Sequence, residues 1–445
     1  MQMPSAVKTI INKLQSKGYS AYAVGGCVRD TIMGNNPSDW DICTSALPEE
    51  TLKALEKDNI IENGIKHGTV TVRIDNENYE ITTFRTDGAY LDNRHPEKVT
   101  FVRSLKEDLA RRDFTMNAMA YNDTEGLYDE FGGVEDIQNG IIRCVGEPDK
   151  RFNEDALRIL RALRFSSRLG FEPEEKTAES IHQNAHLLLN ISAERILSEI
   201  TKILMGDNVE KILLHYSDVF CVWIPEIQPM IGLEQRNPHH IYDVWTHTVK
   251  AVAAIEKDRV LRLAALFHDF GKPQKFTVDK RGTGHFKGHP ELSAVMADTI
   301  LTRLKSDNKT KIEVMKLIEM HDVRTPPEPK YVRRSVAKIG VDLYPKLLAL
   351  KRADALAQNP DTIPEKLQYI NKLQEIYEEE IEKGAAFSVK ALAVNGNDIK
   401  NLGITDGKKI GECLKYLYAL VIDGELENHK EQLLLKVEEF YQIAK

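Results

Sequence analysis

Gly25-Gly26-Cys27-Val28-Arg29-Asp30 is followed nine residues on by Asp39-Trp40-Asp41, and the preceding Tyr19-Ser20-Ala21-Tyr22-Ala23-Val24 reads as a strand. Glycines at a strand end let backbone N–H groups close around a triphosphate, with Arg29 adding positive charge. Side chains on a strand repeat every two residues, so Asp39 and Asp41 are expected to point the same way. Two carboxylates so placed can hold Mg²⁺ ions that activate an attacking hydroxyl and neutralise a departing pyrophosphate. A lone Gly-Gly is a turn, and a lone Asp-x-Asp is most often solvated surface. The two in succession after a strand point instead to metal-assisted nucleotide chemistry.

Further along, Arg111-Arg112-Asp113-Phe114-Thr115-Met116-Asn117-Ala118 sets two guanidinium groups beside an acid. Arginine forks match phosphate oxygens, and Asp113 is a candidate third carboxylate for the metal pair, in competition with Glu80 on the strand Tyr79–Phe84. The stretch from Arg85 to Pro96 is polar and too irregular for a regular element, which reads as a working loop rather than a linker.

The period of the apolar residues divides the chain. A leading helix is expected over about 5–17, then strands at 20–24, 39–43, 68–74, 79–84 and 141–145, with turns at Gly132-Gly133 and Asn139-Gly140. From Asn153-Glu154-Asp155 the period becomes helical through Leu157, Leu160, Leu163 and Phe165, and Ser192 is expected to cap another helix. The fold class is therefore α+β. A small mixed-sheet catalytic head spans 1–146, a helical neck 147–225, a histidine-rich helical domain 226–358, and a helical tail 359–445 with a Gly-rich break near 395–411.

Composition sets bounds. The chain has 445 residues, 42% of them hydrophobic, which suits about three domains. No run approaches the roughly 20 apolar residues of a membrane span, and the start lacks the pattern of a signal peptide, so a cytoplasmic location and no membrane partner are expected. The 5 cysteines show no Cys-x-x-Cys pairing and are expected to be reduced and structural. A net charge of −8 argues at first against nucleic acid, yet arginines recur at 143, 151, 158, 161, 164 and 168, the last four at helical spacing on one face. That stripe is either a nucleotide- and RNA-binding face, with Arg161 and Arg164 among its candidates, or a solvated helix paired to acids such as Glu154 and Asp155.

The segments GGCVRD, DWD, EITTFRTDGAY, RRDFTMNA, EDALRILRALRFSSRLGF and SAERILSEI, spread over residues 20–225, resemble those of the class II CCA-adding tRNA nucleotidyltransferases and the bacterial poly(A) polymerases of the same superfamily. The resemblance implies a polymerase-β-like head, catalytic metal on Asp39 and Asp41, triphosphate contacts from Gly25, Gly26 and Arg29, and recognition of CTP or ATP by Glu154, Asp155 and Arg158. The base reading has its own physical logic. Cytosine and adenine each offer an amino donor beside a ring-nitrogen acceptor, which one acid and one arginine at i and i+3 of a helix can complement. A purely structural ion pair is the alternative. The partners implied are tRNA, CTP and ATP. Full CCA addition, A-only addition and poly(A) synthesis remain open, as does the oligomeric state; the loop at 85–96 favours an enzyme that adds A.

A separate signal lies downstream. His247, His268-Asp269 and Asp354 follow the order His…His-Asp…Asp, and His289 and His321 add further imidazoles. Such donors suit a divalent transition metal such as Mn, Ni, Co or Fe. This region resembles the HD-type metal phosphohydrolases, which implies hydrolysis of phosphomono- or phosphodiesters, 2′,3′-cyclic phosphates on RNA ends among them. An HD phosphohydrolase whose transferase half merely binds RNA is the remaining alternative; the Asp39/Asp41 pair and the RRDFT segment count against it.

Overall fold

In a computed structural model of the chain, which describes residues 1–56, 58–61, 65, 68–88 and 99–441, the strand before the glycine turn is Ala21–Val24 (β1), buried at all four positions. Period-two alternation explains how. Ala21 and Ala23 pack in a cluster with Val7, Ile10, Ile11 and Leu14 of the leading helix Ser5–Ser16, while Tyr22 and Val24 join Cys43, Phe84 and Leu109 on the other face. The next strands along the chain are β2 (Asp41–Thr44), β3 (Asn59–Ile61), β4 (Thr69–Ile74), β5 (Glu77–Thr83), β6 (Arg85–Asp87), β7 (Val99–Phe101), β8 (Ala120–Asn122) and β9 (Gly126–Tyr128); the strand expected over 141–145 is only Ile141–Ile142, paired with Glu172–Pro173. Seven of them form one sheet in the order β3-β4-β5-β2-β1-β8-β9. Its ladders are antiparallel except for the pair β2/β5, which runs parallel and sets Asp41 directly beside Glu80.

Several expectations shift. β2 begins at Asp41, so Asp39 lies in the segment before it, although exposed Asp39 and Asp41 still flank the buried Trp40. Arg85–Asp87 is a strand paired with Val99–Phe101, not irregular chain; the rest of the expected loop, 89–96, lies outside the described residues. Gly132 and Gly140, read as turns, adopt positive φ at the two ends of a helix, Gly133–Asn139.

The helical neck is broken where one helix was expected. Pro148–Glu154 stops at Asp155, whose φ of −140° and ψ of 102° are extended, and Leu157–Leu169 restarts beyond it with Asp155 Oδ1 accepting from the Leu157 N–H at 3.1 Å. A short polar side chain that bonds the backbone two residues on competes with helix propagation. Ser192 precedes the helix Ala193–Leu204 but makes no side-chain cap bond.

Backbone contacts divide the chain into two compact units, Met1–Pro225 and Glu226–Lys445. The second is helical apart from a two-stranded hairpin, Thr277–Val278 with Gly284–His285. The helix Ile363–Glu382 packs on Tyr344–Leu356 and Pro329–Ile339, and a separate apolar cluster gathers Ile399, Cys413, Leu417, Leu433 and Val437 in the last segment. Among the described residues no helix is long and apolar enough to cross a membrane.

Candidate active site and a histidine-carboxylate centre

The turn Gly25-Gly26 joins β1 to the helix Gly26–Ile32. Gly25 takes a φ of +80°, and a Cβ there would meet Arg112 Nη1 at 3.0 Å, so glycine is needed both for the backbone and for the arginine's approach. Arg29, in the last turn of that helix, is buried. Its Nη1 donates to Asn117 Oδ1 at 2.7 Å, its Nε to Asp30 Oδ1 at 2.8 Å, and its guanidinium lies 5.1 Å from the Phe165 ring centre.

Asp41 sits among charges. Although the residue keeps an exposed edge, the groups packed around its carboxyl desolvate it and raise its pKa, and Glu80 and Asp39 raise it further against the lowering influence of Arg112. Arg111 and Arg112 share one buried acid: Asp108 Oδ1 accepts from Arg111 Nε and Nη2 at 3.0 and 2.9 Å, and Asp108 Oδ2 from Arg112 Nη2 at 3.4 Å. Asp113 is placed differently from the carboxylate pair. It is 7% exposed and takes Arg161 Nε and Nη2 at 2.8 and 2.5 Å on one oxygen, with Asn117 Nδ2 at 3.2 Å on the other. Burial alone would raise its pKa, but the Arg161 guanidinium beside it overrides this and holds it at about 2.

The arginine stripe is a chain of ion pairs, partly buried, rather than a solvated face. Arg151 and Arg158 both pair with Glu154, Arg161 with Asp113, and Arg164 with Glu199. Arg158 Nη1 donates to Arg151 O at 3.0 Å and Glu154 Oε2 at 2.8 Å, and Nη2 to Arg111 O at 2.9 Å. Asp155 is not its partner; Asp155 Oδ2 instead lies 3.4 Å from Arg195 Nη2. Asp108, Glu199, Arg195 and Phe165 are the members of this network that sequence reading missed. Three guanidiniums, of Arg29, Arg161 and Arg164, stand within 5.7 Å of the Phe165 ring centre.

In the second unit His247, His268, Asp269 and Asp354 come together although they span more than a hundred residues of sequence. His247 rides on Val244–Ala254, His268-Asp269 ends Arg259–Phe267, and Asp354 lies on Tyr344–Leu356. His247 Nε2 is 3.1 Å from Asp354 Oδ1, 3.2 Å from Asp269 Oδ2 and 3.4 Å from His268 Nε2. His289 and His321 reach the same acid, at 3.3 and 3.9 Å from Asp269 Oδ1. Lys272, unremarked in the sequence, places its ammonium 2.7 Å from Asp269 Oδ2. Burial lowers the pKa of His247, but its bonds to Asp269 and Asp354 outweigh this and lift it to about 9; burial takes His321 down to about 3. The ligand atoms of His247, His268 and Asp354 lie within 4.8 Å of one another, as do those of His268, Asp269 and His321. Two cavities, of about 470 and 610 Å³, open beside the centre, the first lined by Arg324, Lys351 and Lys366.

Family models match along the chain: the poly(A) polymerase head domain over residues 21–143, the probable RNA- and SrmB-binding site of polymerase A over 170–231, and the second domain of tRNA nucleotidyltransferase over 289–437. A CCA-adding enzyme of Limosilactobacillus reuteri is 34% identical over 440 residues, covering 97% of this chain and 96% of its own. The chain belongs to the CCA-adding enzymes. A second such relative, from Geobacillus stearothermophilus, is 36% identical over 95% of this chain and 94% of its own. The crystal structure of the Bacillus stearothermophilus CCA-adding enzyme in complex with CTP superposes with a TM-score of 0.73 at 32% identity, covering 99% of this chain and 98% of that one. As a CCA-adding enzyme the chain is a tRNA nucleotidyltransferase, with the mixed-sheet head and helical body seen in that relative.

Proposed function

We propose that this CCA-adding enzyme extends the 3′ end of tRNA by C, C and A, taking CTP and ATP, at the end of β2 where Asp41 meets Glu80 and Asp39 beside Arg112. That cluster of carboxylates carries the reading, because the desolvation that raises the pKa of Asp41, and the like charges of Glu80 and Asp39 that add to it, are what a bound cation relieves. Donors that are all oxygen fit Mg²⁺, with Asp39, Asp41 and Glu80 to hold it. When bound, Mg²⁺ supplies the charge that lowers the pKa of the tRNA 3′-hydroxyl and offsets that of the pyrophosphate. Arg29, Arg111 and Arg112 bind the triphosphate, and their prior bonds to Asn117, Asp30 and Asp108 hold the forks in place before it arrives. Three acceptors take three of the five Arg158 donors, which leaves two for a base edge, while Asp155 offers an acceptor. Positioning of this kind suits cytosine and adenine and opposes guanine and uracil. The CTP complex of a relative 32% identical over 99% of the chain supports CTP as a substrate.

The test is incorporation on tRNA transcripts ending before CCA, after C and after CC, each nucleotide supplied singly and together, with the products sequenced. Ordered growth from all three ends is expected. Extension of the CC-ending transcript alone would replace this reading with A-only addition, and long homopolymer tails would replace it with poly(A) synthesis.

A second activity is favoured by the histidine-carboxylate centre. Its mixed donors fit Mn, Fe, Co or Ni, and the adjoining cavity sets Arg324, Lys351 and Lys366 among the acids Asp322, Asp354 and Glu365, bases that a phosphate ester can engage, which together support metal-dependent phosphohydrolysis. Hydrolysis of 2′,3′-cyclic nucleotides and phosphomonoesters, with each metal added in turn, checks it.

A further inference from the structure

Phe165 is the point at which head and neck bring their positive charge together. It lies on the helix Leu157–Leu169, one position after Arg164 and four after Arg161, so Arg161 shares its face of the helix. Arg29 arrives from the helix Gly26–Ile32 of the head. The guanidinium carbons of Arg164, Arg29 and Arg161 stand 4.6, 5.1 and 5.7 Å from the ring centre. Phe114, fully buried, meets the same ring edge-on, with centres 5.9 Å apart and planes at 85°, which fixes how the ring is turned.

Three like charges so close repel one another. Burial, and Arg161 after it, lower the pKa of Arg164. Acids offset part of the charge: Asp30 pairs with Arg29, Asp113 with Arg161 and Glu199 with Arg164. These pairings engage only part of each guanidinium. Asp113 takes Nε and Nη2 of Arg161, and Glu199 takes Nη1 of Arg164, out of five N–H groups in each. An aromatic ring attracts in another way, because the negative charge on its face draws a cation without engaging an N–H group. The ring therefore gathers the guanidiniums while their donors stay available to an anion from outside.

We infer that Phe165 is a positioning residue for nucleotide addition, its ring gathering Arg29, Arg161 and Arg164 into one cationic cradle for the triphosphate of the incoming CTP or ATP. The inference rests on reading Arg29 as a triphosphate ligand and adds the ring that sets two arginines of the neck beside it. A triphosphate fits this cradle because its charge is concentrated on three adjoining phosphoryl groups, whereas an RNA strand spreads one charge per nucleotide along its length. CTP and ATP carry the same triphosphate. The ring thus acts on nucleotide affinity and leaves base choice alone.

The test replaces Phe165 in the full chain by difluoro- and trifluorophenylalanine, which keep the outline of the ring while withdrawing negative charge from its face, and by leucine in Phe165→Leu. Inorganic tripolyphosphate with Mg²⁺ is the probe, its binding followed by calorimetry beside KM for CTP and ATP, tRNA affinity and thermal unfolding. The tripolyphosphate dissociation constant and both KM values should rise stepwise with fluorination, reaching about fivefold to tenfold, with tRNA affinity and the preference between CTP and ATP unchanged. Equal tripolyphosphate binding across the series, with or without a lower unfolding temperature, overturns the inference and leaves the ring as packing. A loss confined to tRNA affinity overturns it too, and gives the cradle to the RNA backbone. No tripolyphosphate binding by the wild type overturns the reading of Arg29 itself, and the cradle with it. The fluorinated proteins decide even where Phe165→Leu fails to fold.

Discussion

Glu80 and Asp113 differ in what already neutralises them. Asp113 has the Arg161 fork on one oxygen, whereas Glu80 is the register partner of Asp41 and one of the charges that raise its pKa. Asp41→Ala is therefore expected to reduce nucleotide incorporation to below about one per cent of wild type with the circular dichroism unchanged, and Glu80→Gln to lower kcat at least tenfold. Asp113→Asn should act on stability first. Its pKa of about 2, depressed from the ordinary 3.8, means stability fully present above pH 4 and lost as pH falls through 2, an effect of about 2 kcal/mol near neutrality. The thermal midpoint of the variant should thus lie below that of the wild type at pH 7, with the gap narrowing by pH 3. A variant as stable as the wild type but without incorporation would return Asp113 to the metal pair.

At the scale of elements, the break at Asp155 matters more than the i,i+3 spacing that led to it. Asp155 caps one helix and meets Arg195 of the helix Ala193–Leu204, while Arg158 is held by Glu154 and the Arg111 carbonyl. Asp155→Ala and Arg158→Ala are expected to raise incorporation of UTP and GTP relative to CTP and ATP; an equal fall for all four nucleotides would make both residues structural. The helix pair Leu157–Leu169 and Ala193–Leu204 imposes a second constraint. A Cβ at Gly206 would overlap the Ser167 hydroxyl and carbonyl, so Gly206→Ala should destabilise the neck by about 1–3 kcal/mol in denaturant unfolding. Sequence patterning exposed β1, β2, β4 and β5 and the glycine turn, because period two and local punctuation are written in neighbouring residues. It missed β8 and β9, three residues each, since so short a strand carries almost no period of its own. The helix break was equally hidden, since apolar spacing runs through Asp155 while the cap depends on one side-chain bond. Asp108 and Glu199 were invisible for a third reason. A buried acid looks like any solvated one until the arginines it serves are placed around it.

Over the whole molecule, the two sets of chemical groups belong to different compact units, Asp39, Asp41 and the arginines to Met1–Pro225 and the histidine centre to Glu226–Lys445. Each unit has its own apolar clusters, and the donors of each site come wholly from its own unit. The double substitution His268→Ala with Asp269→Ala removes one imidazole and the carboxylate that faces His247, His268, His289 and His321, so bound transition metal and phosphoesterase activity should both vanish. Removing Asp269 also leaves Lys272 buried without its counter-charge, which should lower the stability of the second unit by a few kcal/mol. Nucleotide addition, measured below the unfolding temperature of the variant, should stay within a few-fold of wild type. Loss of addition in a variant that remains folded by circular dichroism would show that the histidine centre serves the transferase reaction, and the reading of two separate chemistries on one chain would fall.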